Sequence, residues 1–256
     1  MSQTGGSGAT RIDYSELRAT LDEVRGADGP DGGGPDRAGG AGVGRALGSL
    51  VRRLLGWVVV AAALLVLPFA VLVRTAVGAQ QGLGAGAWVA VLAGILATGG
   101  ILVLYAVVAG RWLGVGPGFR RTLRWGSVGA GAAFVVWALL WLGAAQAKSP
   151  EVRAEYHSLH PVLRLATSTV FLVDPWRVMT DAAREPEDYA LMGLPPAESS
   201  LHFVQEDGFV HAVDLRTRGR PEWVNKAVEL GFWALGFHAL RHRGTADHLH
   251  VSLRTR

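Results

Sequence analysis

Three transmembrane α-helices followed by an α+β domain with a small antiparallel sheet form the fold class that this sequence predicts. Three observations carry the expectation. Half of the 256 residues are hydrophobic and only 18% are charged, against about a quarter charged in an ordinary soluble domain. The apolar surplus is concentrated between Leu54 and Ala147, in runs too long for a globular core. All eight histidines lie after that region, where short strand-like and helix-like patterns alternate. A wholly soluble protein is excluded.

Residues 1–48 are rich in Gly, Asp, Ser and Ala and read as a disordered tail, since such a segment buries too little apolar surface to offset its ordering entropy. Leu17, Leu21 and Val24 lie at helical spacing behind Ser15 and suggest a short transient or docking helix. Residues 49–147 form the anchor. Its uncharged runs at 54–73, 84–109 and 126–147 each match the roughly 20 residues that cross a hydrocarbon layer as a helix. Pro68 is placed to kink the first. Gly94, Gly99 and Gly100 in the second permit close helix contact, and so a possible membrane-protein partner. Trp57, Trp88, Trp112, Trp125 and Trp141 stand near segment ends, as interfacial anchors do.

Arginine placement orients the spans. Arg45, Arg52 and Arg53 precede the first, and Arg111, Arg120, Arg121 and Arg124 lie between the second and third. Arg74 alone lies between the first and second. The positive-inside rule then puts the N-terminus in the cytoplasm and, after three spans, residues 148–256 outside the cytoplasmic membrane. No ionisable residue falls inside a span, which argues against a conduction pathway. The net charge of +4 and pI near 9.9 come from these flanking arginines. With no basic helix or aromatic platform in the C-terminal domain, nucleic acid is not an expected partner. The absence of cysteine excludes disulfide scaffolds, thiolate metal sites and a thiol nucleophile.

Within residues 148–256, Pro161–Val173 reads as a helix with proline in its first turn, and Arg177–Thr180 as a strand opening. Ser200–Gln205 and Phe209–Leu215 flank Glu206-Asp207-Gly208 as a hairpin. Pro221–Leu235 reads as a second helix, and Phe237–Leu240 and Leu249–Leu253 as closing strands. On a strand His248 and His250 point to one face. Together with His202 in Ser200-x-His202 and Asp214 in Ala212-x-Asp214, they offer the His/Asp donors of a zinc site with a position left for water. His157, His160, His238 and His242 join no pattern and read as surface or structural.

Ser200-x-His202, Gly208, Ala212-x-Asp214 and His248-x-His250, in that order, resemble the zinc D-Ala-D-Ala metallopeptidases. That group shares its fold with the hedgehog signalling domain and with the lysostaphin-type and penicillin-insensitive murein endopeptidases. Thr180–Pro186 resembles the family's Ser-Gly-Tyr-Arg-Ser-Pro segment. The resemblance covers residues 156–253 and implies a hedgehog-like fold holding Zn2+. It implies His202, Asp214 and His250 as ligands, His248 or Asp247 as the catalytic base, and Arg184 as a substrate-binding and charge-stabilising cation. Ser200, also in the motif, reads as a hydrogen-bonding residue beside the substrate rather than a nucleophile. The family spaces its first His and Asp seven apart, whereas twelve separate His202 from Asp214. Either the 206–208 turn absorbs the difference or His211 replaces His202. The implied activity is hydrolysis of peptidoglycan peptide cross-links or D-Ala-D-Ala stems. The other expectations are an inactive module on the same fold that binds peptidoglycan or a protein, and a membrane scaffold.

Overall fold

The structure, a computed structural model, describes residues 38–191, 193, 199–244 and 247–254. The tail and the short helix expected over Leu17, Leu21 and Val24 lie outside the described residues, save for the helical backbone from residue 38. The chain divides into two compact units, Met1–Val60 and Ala61–Arg256. Of the first, the described part is the start of helix α1, whose side chains from Leu50 to Val60 are exposed. Everything below concerns the second.

Among the described residues, three helices are long and apolar enough to cross a membrane: α1 (Ala38–Leu83), α2 (Ala87–Trp112) and α3 (Pro117–Leu140). They make the chain a membrane protein. The helices differ from the apolar runs in their bounds. α1 continues ten residues past Val73, because Ala76, Val77 and Ala79 are buried and give those turns a core to join. α3 starts at Pro117, with proline in its first turn, and ends at Leu140, so residues 141–147 lie outside it. α1 passes through Pro68, whose carbonyl accepts a bond from the Thr98 hydroxyl on α2 (3.3 Å). Gly94 serves the chain's own packing: a Cβ there would collide with the Leu72 carbonyl of α1. Gly99 and Gly100 face open space.

After α3 come α4 (Pro150–Ala154), α5 (Pro161–Val173), β1 (Met179–Asp181), α6 (Pro186–Leu191), β2 (Ala212–Arg216), α7 (Glu222–Leu235), β3 (His238–His242) and β4 (His248–Ser252). The strands form one antiparallel sheet in the order β1-β2-β4-β3. Ser200–Gln205, expected as a strand, is not one. It meets Val210 through a single bridge at Val204, and the Gln205–Gly208 turn, closed by Gly208 at φ 81°, takes up the extra residues.

Side chains alternate across this sheet. Val213, Leu215, Ala239, Leu249 and Val251 face a continuous core that includes α5, α7 and the nearby ends of the spans. Three polar groups tie this core to α3. Tyr156 donates to the Ala138 carbonyl, Arg164 to that of Leu139 (2.8 Å), and Ser168 to Ala138 (3.4 Å). α7 stops at Gly236, whose φ of 99° suits a residue without Cβ. The other sheet face, carrying Asp214, His242, His248 and His250, is left to polar chemistry.

Candidate metal centre

Antiparallel register builds the site. Asp214 on β2 stands opposite His250 on β4, and His242 on β3 opposite His248; opposed residues share a face. His202 arrives from the loop before the 205–208 turn. Its segment is clamped to the chain after β1 by Arg184 N–H donating to the His202 carbonyl (2.9 Å). Glu155 holds that neighbouring segment in turn, accepting from the Ala182 and Ala183 amides (3.1 and 3.2 Å).

Two groups of described side chains place donor atoms close enough to hold a metal ion: His202, Asp214 and His250, and His160, Asp207 and His211. Hydrogen bonding separates them. In the first group, His202 Nδ1 lies 2.6 Å from the Ala182 carbonyl, an acceptor only. That nitrogen therefore carries the proton and Nε2 turns a lone pair inward, the tautomer of a ligating histidine braced by a carbonyl. His202 Nε2 lies 3.2 Å from His250 Nδ1 and 3.4 Å from Asp214 Oδ1, and His250 Nδ1 lies 2.9 Å from Asp214 Oδ1. Donors about 2.0–2.1 Å from a tetrahedral ion sit about 3.3 Å apart, so the triangle is near the size that could hold a metal ion. Burial pushes the Asp214 carboxyl up. Hydrogen bonding from His202 and His250 and the charges of His202 and His248, present when those rings are protonated rather than turning a lone pair inward, outweigh that and hold it well below the usual carboxylate range.

The second group has the opposite tautomer at one corner. Val162 N–H donates to His160 Nδ1 (3.2 Å), so Nε2 carries hydrogen and points at Asp207 (3.7 Å). That distance is beyond hydrogen-bond reach; Asp207 accepts instead from His211 Nε2 (2.9 Å) and from Phe209 N–H (3.1 Å). This is a carboxylate clamped by donors, pinning the turn to the start of α5 beside a cleft of about 530 Å³. His211 is thus placed with Asp207, on the face opposite Asp214, and not among the first three donors. His160, read as patternless, is its fully buried partner.

The remaining expected residues fall as follows. His248 Nε2 lies 3.6 Å from Asp214 Oδ2, beside the triangle. Arg184 is engaged by two carboxylates: its Nη2 donates to Asp214 Oδ2 (2.7 Å) and its Nε to Asp181 Oδ2 (2.6 Å). It thereby holds the Asp214 oxygen that the triangle does not use. Ser200 accepts from the His202 amide (3.2 Å) and bonds the Tyr189 hydroxyl (2.5 Å), positioning the loop. Asp247 does not join the site. It precedes β4, on the other parity from His248 and His250, and is taken by Arg241 through two bonds (3.0 and 2.8 Å) and by Thr217. Sequence reasoning missed His242, whose ring stacks on His248 (centroids 4.9 Å apart) and meets His250 edge-on (6.1 Å). Comparison with family models, curated proteins and solved structures finds no match to the chain.

Proposed function

We propose that the chain is a membrane-anchored zinc metallopeptidase of hedgehog-like, D-Ala-D-Ala peptidase-like fold, acting on peptidoglycan peptides outside the cytoplasmic membrane. One observation carries the reading: His202 Nε2, Asp214 Oδ1 and His250 Nδ1 converge at a spacing that could hold a metal ion with a fourth side chain, His248, beside them. The arginine distribution supports the orientation independently, because it shares no residue with the site. The order of the motifs along the chain supports the substrate class.

His202, Asp214 and His250 would hold the ion, which when bound supplies Lewis-acid polarisation of a carbonyl and an acidified water. Arg184 keeps Asp214 ionised and oriented. His248 is the group placed to take a proton and return it to the leaving amine, and His242 fixes its ring by stacking.

The test is cleavage of synthetic muropeptides by the full chain in detergent micelles with one equivalent of zinc, followed by mass spectrometry. Cleavage lost in His250→Ala, along with zinc, is the expected result. Undiminished cleavage by that variant refutes the assignment. One observation favours a second reading, a domain that binds zinc and cell-wall peptide without turnover: the Arg184 guanidinium is already engaged by Asp181 and Asp214. Stoichiometric zinc without any cleavage would decide for it.

A further inference from the structure

The layers stack in one order. The site face of the sheet is followed by the buried sheet face, then α5 and α7, then the ends of α1–α3. α7 packs against β3 and β4, and α5 against α2 and α3. The helix layer therefore lies on the side of the sheet toward the spans.

α7 is apolar on both sides. Asn225, Val228 and Phe232 are buried and face the core. At 100° per residue, Trp223, Ala227, Leu230 and Ala234 form the opposite stripe; Lys226 borders it, and Trp233 lies farther round toward β3, its Nε1–H donating to the Ala239 carbonyl (2.8 Å). The stripe is uncovered, Trp223 being 75% exposed and Leu230 54%, and Trp233 is 58% exposed. A second uncovered apolar group lies at the end of α5 and in the loop after it, with Val173 73% and Trp176 78% exposed. The two groups are tied together. Arg177, fully buried, bonds Asp174 on its own loop (3.0 Å) and Asn225 of α7 (2.9 Å).

The height of this surface is set by α1. The Gln81 side chain donates to the Gly236 carbonyl at the end of α7 (3.5 Å). A Cβ on Gly236 would lie 2.9 Å from Val77 and collide with Arg74. Arg74 is the first charge after the apolar run ending at Val73. Val77 stands about 6 Å farther along the helix, within the roughly 5–7 Å headgroup layer that flanks a hydrocarbon core. The C-terminal end of α7 is thus level with the lipid headgroups. The middle of α5 meets the last turn of α3, where Ser168 donates to the Ala138 carbonyl. Uncovered tryptophan and leucine on a helix that ends at headgroup depth match the composition of interfacial helices, while a stable water-facing surface seldom gathers so much apolar area.

We infer that α7 and the loop after α5 form a membrane-interfacial seat. Trp176, Trp223, Leu230 and Trp233 insert into the leaflet that borders the spans on the sheet side, and the metal-centre face is thereby held turned away from the bilayer. The occupant of this apolar surface is lipid, continuous with the lipid around the spans. The inference concerns the side of the sheet, not the side of the membrane, so it stands whichever way the chain is inserted.

Because the chain has no cysteine, single sites are directly addressable. Trp176→Cys, Trp223→Cys, Trp233→Cys and Leu240→Cys, the last on the metal-centre face, are each spin-labelled in the full chain and reconstituted in phosphatidylglycerol–phosphatidylethanolamine nanodiscs. At the three tryptophan sites, collisions with oxygen should exceed those with a water-soluble nickel chelate severalfold, and at Leu240 the order should reverse. Equal nickel accessibility at all four sites overturns the seat. So does low nickel accessibility accompanied by dipolar broadening between labels on two chains in one disc, which would assign the surface to a second copy. A measured oxygen preference in Trp176→Phe/Trp233→Phe labelled at Trp223→Cys would uphold it independently of those two indoles.

Discussion

His160 should make the protein acid-sensitive in the range where an ordinary histidine gains its proton. The ring is fully buried, its Nδ1 caps α5, and its neighbours are His211, Phe209 and Asp207. Burial first, and the His211 and Arg164 charges after it, lower its pKa from 6.5 to about 4 despite the opposing pull of Asp207. Between those values the unfolded chain binds a proton that the folded chain refuses, so stability falls as pH drops from about 6.5 toward 4. At 1.36 kcal/mol per unit, the loss approaches about 3 kcal/mol, or about 6–12 °C in Tm for a unit of this size. His160→Asn keeps a capping oxygen and cannot titrate. Thermal unfolding of both proteins in micelles between pH 7 and 4.5 isolates the contribution, because other titrating groups, His242 among them, are common to both. The variant should overtake the wild type in the acid range. Parallel Tm–pH curves would refute the reasoning.

Arg184→Gln, which releases Asp214 Oδ2, should weaken zinc binding about 10–100-fold, measured by chelator competition; unchanged affinity would mean the guanidinium does not orient the ligand. Asp247→Asn should leave zinc affinity and hydrolysis unchanged, because Arg241 and Thr217 already hold that carboxyl at about 2. Loss of turnover with zinc retained would restore it as a base.

Sequence pattern carries the parts of this fold that are encoded locally. Three runs of apolar residues must become helices, because lipid offers no partner for a free backbone. His248 and His250 must share a face, because strand side chains have period two. The same parity separates His211 from Asp214. What the pattern lacks is register. That His242 lies under His248 depends on how β3 and β4 pair, and the residues between them do not announce it. The fates of Arg184 and Asp247 were equally hidden. A motif places them near the chemistry, but which carboxylate or guanidinium each one meets depends on Asp181, Asp214, Arg241 and Thr217 arriving from other elements. Likewise, the apolar run ending at Val73 gives no sign that α1 continues to Leu83, because Ala76, Val77 and Ala79 are buried by tertiary partners.

That continuation bears on whether residues 148–256 can stand alone. Read from sequence, the spans are an anchor and the rest a separable domain. The core crosses that line: Leu72, Val73, Ala76 and Val77 of α1, Ala90 and Val91 of α2, and Val135, Ala138 and Leu142 share one cluster with Leu163, Leu165, Phe232 and Val251. Cutting before Lys148 removes these partners and deprives Tyr156 and Arg164 of the carbonyls of Ala138 and Leu139. Each such loss costs about 1–3 kcal/mol where the group stays buried, and the lost apolar contacts add to it, against a total stability of about 5–15 kcal/mol. Residues 148–256 expressed alone should therefore show little cooperative unfolding and weak zinc binding, whereas a protein cut before the first span, from Gly48 onward, should behave as the full chain in micelles. A truncated domain that melts cooperatively near the full-length Tm would show that the spans only tether it, and that the shared core contributes little.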